Sequence, residues 1–294
     1  MMYDYIIAGL RLRSDINLVE YGLRGFLPFE VEPSDSPADC TLRLNTLMNK
    51  QALCVGDILA TSYVAEADAD SSFSRSASGY LYSIQRRVDG ATETLFHIDI
   101  ATGCVETNIN TIDNIDISIL RFGIWVMFGV VLTENKAIAI HSSVIVSDNK
   151  CALFLGESGT GKSTHTRLWL KHIDGARLLN DDSPIIRIVD GEVLAYGSPW
   201  SGKTPCYKNE AYPVAGFCRL AQAPYNAIYR LPTIMAIGAI LPSCPPMFAY
   251  DDRLQDMICR TVGDVLRTVS VYRLECLPDE AAALLSYKTI MGDE

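Results

Sequence analysis

Polar and apolar residues alternate along "YLYSIQRRV" and again along "ATETLFHIDI", and the two runs flank Asp89-Gly90. A period of two is that of a half-buried strand, and Asp-Gly suits the tight turn of a hairpin. Thr102-Gly103 then leads into "CVETNI", which the pattern predicts as the third strand of a meander. The first hundred residues therefore read as β-rich. "EADADSSFSRSAS", 66 to 78, is expected to be a polar loop of small residues. The pattern changes at "ISILRFGIWVMFGVVL", 117 to 132. This run is apolar but holds Arg121, and its uncharged part, Phe122 to Leu132, is 11 residues long. That is well short of the roughly 20 needed to span a bilayer, so a buried helix is expected.

From about residue 137 the chain changes character. "AIAIHSSVIV" reads as a strand, Asp148-Asn149 as a turn and "CALFL" as a second buried strand. "KSTHTRLWLKHI" carries Leu168, Trp169 and Ile173 at helical spacing and ends before Gly175, a stop signal. "ARLLNDDSPIIRIVDGEVLAYGS" contains a second Asp-Gly hairpin at 190 and 191. Near the end come a helix at 253 to 269, a strand "VYRLEC", and a last helix opening at Pro278-Asp279-Glu280. No internal repeat is visible. The expected fold class is mixed α/β (α+β). A β-rich N-terminal domain would occupy 1–115 and a second domain 116–294, with a connecting helix at 116–134.

Composition narrows the function. The chain has 294 residues, 49% of them apolar, enough for a sizeable core. Lysine plus arginine number 25 against 35 acids, a net charge of −10, which argues against a nucleic-acid partner. Nine cysteines, at 40, 54, 104, 151, 206, 218, 244, 259 and 276, form no C-x-x-C and sit in apolar runs. Free thiols in a reducing cytosol fit this better than a disulfide framework, and the expected location is cytoplasmic. The four histidines are too far apart in sequence for metal-ligand spacing. The start, "MMYDYIIAGLRLR", has Asp4 where a signal peptide wants positive charge. No membrane association is expected.

The chemistry concentrates in "LFLGESGTGKST", 153 to 164. Gly156, Gly161, Lys162 and Ser163 make the P-loop pattern G-x-x-x-x-G-K-[ST], between a strand and a helix as the mechanism requires. Its glycines turn the backbone so that successive N–H groups face one concavity, and the helix adds the positive end of its dipole. The expected ATP-binding residues are Gly156, Glu157, Ser158, Gly159, Thr160, Gly161, Lys162, Ser163 and Thr164. Lys162 would reach the terminal phosphates, and Ser163 would offer its hydroxyl to Mg²⁺.

"LLNDDSP" places Asp181 and Asp182 at a strand end, 19 and 20 residues after Lys162. They could cap a turn before Ser183-Pro184. Behind a P-loop they also suit phosphoryl transfer, one carboxylate for the metal and one for the acceptor's proton, because neighbours on a strand diverge. "GSPWSGKT", 197 to 204, repeats the P-loop pattern, but "PCYKNEAYP" after it has no helical period. It is read as a turn, either plain surface or one that brings Lys203 to the same pocket as a substrate or phosphate contact.

The run from "IHSSVIV" through "LFLGESGTGKST" to "LLNDDSP" resembles the HPr kinase/phosphorylase family. More distantly it resembles the P-loop of ATP-dependent phosphoenolpyruvate carboxykinase. The resemblance covers about 137–205 well and leaves out the N-terminal half. It implies a compact P-loop kinase core rather than the usual doubly wound sheet. It also implies ATP and Mg²⁺ as cofactors, a serine hydroxyl of a small protein or peptide as acceptor, and a homo-oligomer. In that family a histidine precedes the first loop glycine by 15 residues, and His141 matches this spacing to Gly156. The family's second aspartate after the loop is the base, and Asp182 matches it. The catalytic set implied is thus Asp182, His141 and Lys162, with Ser163 and Asp181 on the metal. The family's metal-binding glutamate segment has no counterpart; "SPWSGKT" stands in that region. His141 could also be a core histidine. An ATP-gated module without turnover and a small-molecule kinase are other uses of the same residues.

Overall fold

The computed structural model describes residues 2–46, 50–88, 90–110, 116–202 and 204–292. It divides into two compact units: unit 1 is Met1–Glu134 with Met247–Leu254, and unit 2 is Asn135–Pro246 with Gln255–Glu294. Each unit is built on a sheet of nine strands among the described residues, both sheets of mixed polarity.

Unit 1 contains β1 (Tyr3–Ile7), β2 (Leu10–Ser14), β3 (Glu30–Val31), β4 (Cys40–Arg43), β5 (Ile58–Val64), β6 (Ala69–Arg75), β7 (Gly79–Arg86), β8 (Thr94–Asp99) and β9 (Cys104–Thr107). They lie in the order β3-β1-β2-β4-β9-β8-β7-β6-β5. The meander β7-β8-β9 is antiparallel, as the alternation predicts. Of its hairpin turn, Asp89 lies outside the described residues.

The loop expected at 66–78 is instead largely strand β6, paired on both sides. Small residues are what the position needs. Ala69, Ser71 and Phe73 face the core, and the serine hydroxyls bond across the strands, Ser62 to Ser71 at 2.9 Å and Ser72 to Ser83 at 2.8 Å. A polar run thus satisfies its neighbours rather than water.

The apolar run becomes α1 (Ile117–Glu134), which packs on β7 and β8. By length and composition it could cross a bilayer, but 67% of it is buried within the fold. Gly123 lets it approach Phe96 closely. Although expected to join the two halves, α1 belongs to unit 1.

Unit 2 contains β10 (Ala137–Ala139), β11 (Ser142–Ser147), β12 (Lys150–Leu155), α2 (Lys162–His172), β13 (Arg177–Asp182), β14 (Ile185–Val189), β15 (Glu192–Tyr196), β16 (Ala211–Gln222), β17 (Ala227–Arg230), α3 (Thr233–Ile240), α4 (Asp252–Val265) from Gln255 onward, β18 (Ser270–Cys276) and α5 (Glu280–Met291). The strand expected over "AIAIHSSVIV" is broken at Ile140-His141. There the backbone N–H groups donate to Pro184 and Ser243 rather than to one continuous partner.

The long strand β16 organises the unit. Its first residues pair with β15, and the rest lies parallel to β12 on one side and β18 on the other. This places the loop after β12 in the interior of the sheet's edge-to-edge order rather than at its margin. Helices α2 and α5 bury Trp169, Phe154, Ala283 and Ile290 in one cluster. His165 packs edge-on against Phe154. Ser286 donates to the Ala283 carbonyl and accepts from Trp169 Nε1 at 2.9 Å, so His165 Nε2, also 2.9 Å away, must be the donor. Burial pushes the His165 imidazole down to about 4, and it is neutral at pH 7.

Candidate functional site

The loop between β12 and α2 is possible because three glycines take positive φ: Gly156 at 149°, Gly159 at 85° and Gly161 at 109°. Gly161 is also the helix N-cap in the left-handed region, which an L side chain occupies only with strain. A Cβ on Gly156 would meet Thr160 Oγ1 at 2.5 Å, so the loop cannot close around anything larger there.

Lys162 is the first residue of α2 and is buried at 9% exposure. Its side chain turns back over the loop. Nζ donates to Gly156 O at 2.7 Å and stands 3.0 Å from His141 Nε2. Burial lowers its pKa from the ordinary lysine value, and the carboxylates of Asp182, Glu157 and Asp181 oppose that. An ammonium can only donate, so His141 Nε2 accepts and Nδ1 carries the imidazole proton. Nδ1 lies 3.3 Å from Asp182 Oδ1. A line of contacts therefore runs from Lys162 through His141 to Asp182.

Asp181 faces the other way. Its carboxylate accepts from Ser163 at 3.2 and 3.3 Å and from Ser143. The register explains the split. Strand β13 pairs with β11 so that Ser143 is opposite Asp181 and Ser142 opposite Asp182, and adjacent residues project to opposite faces. The strand end thus carries one carboxylate toward the helix N-terminus and one toward His141.

Asn180 holds this end in place. It is fully buried, and its Oδ1 accepts from the N–H groups of Asp182 and Ser183, both at 3.0 Å. Its Nδ2 donates to Trp200 O at 3.0 Å and Ser198 Oγ at 3.3 Å, while Ser198 donates to Ser183 O at 2.6 Å. This network ties the segment from 198 to the aspartates, and a Cβ on Gly202 would meet Asp181 O at 2.8 Å. No helix follows that segment. Lys203 itself lies outside the described residues.

The structure therefore brings together Gly156, Lys162, His141 and Asp182, and separately Ser163 with Asp181. Ser158 and Gly159 are exposed at the loop's outer turn, Thr160 Oγ1 donates to Glu157 O at 2.8 Å, and Thr164 lies half-buried in the first turn of α2. Glu157 pairs with Arg219 of β16 at 2.9 Å, whose other nitrogen donates to Ala239 O at 3.0 Å.

Sequence reasoning missed Arg219, Ser143 and Asn180. Asn180 had a local signal, since Asn before Asp-Asp-Ser-Pro is an Asx turn in waiting. Arg219 had none, because its 62-residue separation from Glu157 is closed only by the pairing of β12 and β16.

Among the described residues there is no group of three or more His, Cys, Asp or Glu placed to hold a metal. Ser163 and Asp181 offer hard oxygen donors only. That set fits Mg²⁺, which takes one or two protein ligands and completes its shell with phosphate and water.

No family model matches the chain, and no curated protein matches it. Among solved structures, the HPr(Ser) kinase/phosphatase from Coxiella burnetii is similar over 51% of this chain and 91% of its own. The identity is 13% and the TM-score 0.30.

Proposed function

We propose that the protein is a cytosolic ATP-dependent phosphotransferase with an HPr-kinase-like core, acting on a serine hydroxyl of a small protein or peptide. The observation that carries this reading is the placement of Lys162 between the loop carbonyl of Gly156 and the His141–Asp182 pair. A P-loop lysine next to an imidazole that in turn stands against a carboxylate joins phosphate recognition to a proton acceptor within one line of contacts.

The chemistry follows from the groups. The loop amides and Lys162 would hold the β- and γ-phosphates of ATP. Ser163 and Asp181 would hold Mg²⁺, which neutralises charge on the transferred group. The acceptor hydroxyl gives its proton to Asp182 as its oxygen bonds to the γ-phosphorus, and the bond from that phosphorus to the β–γ bridging oxygen breaks, releasing ADP. His141 Nδ1, 3.3 Å from Asp182 Oδ1, stands against the carboxylate and would limit its orientation. When Lys162 turns to the phosphates it leaves Nε2, while the protonated Nδ1 stays beside Asp182 Oδ1, so the acceptor's proton is taken by the carboxylate alone.

The test is incubation of the purified full chain with γ-labelled ATP and a lysate of the source cell, with labelled products identified by mass spectrometry. A phosphoserine that appears with the parent and not with Lys162→Ala supports the reading. Tight ATP binding with no transfer to any acceptor would instead show a nucleotide-gated module.

A further inference from the structure

A cavity of about 640 Å³ opens beside the phosphate loop within unit 2. Gly159, Thr160 and Gly161 of the loop line it, together with Thr164 and Leu168 of α2. Leu220 and Gln222 of β16 line it too, with Leu277 and Pro278 after β18. We infer that this cavity is the subsite for the adenine base of the phosphate donor. The inference rests on the reading of the loop as an ATP site and adds where the nucleoside goes.

Three observations carry it. The first is position. Lys162 Nζ lies on the His141 side of the loop, so terminal phosphates held by it would take that side and the rest of a nucleotide would leave toward the other end. Gly159 to Gly161 and Thr164 are that end, and none of His141, Asp181 and Asp182 lines the cavity. The acceptor has to reach Asp182, so it does not compete for this space.

The second is charge. Among the described residues no Asp, Glu, Lys or Arg lines the cavity, and His165, which does, is neutral at pH 7. Such a wall repels phosphate and sugar-phosphate groups by desolvation and accepts a flat heteroaromatic ring between leucine and proline side chains.

The third is the polar handle. Gln222 is exposed, and its Nε2 makes only a 3.4 Å contact with Gly159 O. A carboxamide presents one donor and one acceptor side by side, which matches the exocyclic amine and adjacent ring nitrogen of adenine. A cavity of this size is within the range of small-molecule sites and larger than a phosphate chain needs.

Calorimetric titration of the full chain at fixed Mg²⁺ with ATP, GTP and inorganic tripolyphosphate tests this. The parent should bind ATP at least tenfold more tightly than tripolyphosphate. Ala223→Trp, at the half-buried rim of the cavity, should weaken ATP to the tripolyphosphate level without changing tripolyphosphate. Gln222→Ala should narrow the preference for ATP over GTP. If Ala223→Trp fails to fold, Leu277→Asp, at an exposed position, serves the same purpose. Unchanged ATP affinity in a folded cavity variant would overturn the base site and leave the phosphate loop standing. A parent that binds neither ATP nor tripolyphosphate would overturn the loop reading, and the base site with it.

Discussion

Lys162 is held by ligand-side groups rather than by the core: a loop carbonyl and an imidazole. Lys162→Ala should therefore abolish ATP binding, measured by calorimetry, while the circular dichroism spectrum stays that of the parent. The aspartates divide by face. Asp182→Asn keeps size and some hydrogen bonding but cannot take a proton, so turnover should fall about 10²–10⁴-fold with Mg-ATP affinity nearly unchanged. Asp181→Asn should instead raise the Mg²⁺ requirement, because a carboxylate beside Ser163 has become neutral. Titrating activity against Mg²⁺ for both variants separates the roles, and reversed profiles would exchange them.

His165 gives a pH prediction. Its folded pKa of about 4 is below the ordinary 6.5, so the unfolded chain binds the extra proton between those values. Stability is then complete above pH 6.5 and is lost as pH falls toward 4, by roughly 3 kcal/mol at 1.36 kcal/mol per unit. His165→Gln should flatten the dependence of urea-unfolding free energy on pH in that window. Asp4, held down to about 2 by Arg13 and Arg11 against its burial, loses its contribution only below pH 3.8 and does not overlap.

At the scale of elements, α1 shows that an apolar run can be long for reasons of packing. It is buried on β7 and β8, and Gly123 is the contact that permits this. A Cβ there would meet three Phe96 ring atoms at 2.2, 2.3 and 2.4 Å, and Phe96 is itself fully buried and cannot swing away. Gly123→Ala should gain about 1 kcal/mol of helix propensity and lose about 3 kcal/mol to overpacking. The expected net is a lower urea midpoint for unit 1. Hairpins were legible from sequence because Asp148-Asn149 and Asp190-Gly191 settle the turn locally, each residue at positive φ. Strand β6 was not. Its serines look like loop until neighbouring strands supply partners for the hydroxyls.

At the scale of the molecule, the chain returns to unit 1 at Met247–Leu254 after building most of unit 2. The returning segment brings Phe248 against Phe73, with ring centroids 5.5 Å apart, and the fully buried Asp251. The Asp251 carboxylate accepts from Tyr80 at 2.9 Å, from Leu254 N at 3.0 Å and from Arg75. Asp251→Ala would leave the Tyr80 hydroxyl buried without its acceptor. Arg75, half exposed, can turn to water, so the cost should be about 3 kcal/mol, the low end for a broken buried pair. Calorimetry should show the transition of unit 1 displaced downward. A fragment ending at residue 134 should be destabilised further, because it lacks Phe248 and Asp251 together.

The sequence by itself determined what short-range chemistry can determine. The glycine spacing sets the backbone of the loop, Lys162 and Ser163 follow it by covalent connection, and two adjacent acids on a strand must diverge. These need no distant partner to be read. Tertiary structure alone decided which groups those residues meet. Strand pairing of β11 with β13 sets Ser143 against Asp181 and brings Asp182 beside His141, 41 positions earlier. The parallel pairing of β12 with β16 brings Arg219 to Glu157 and closes an uncharged cavity beside the loop. The cost of bringing distant segments together is met by burial of the whole unit, and no local stretch of the chain records it.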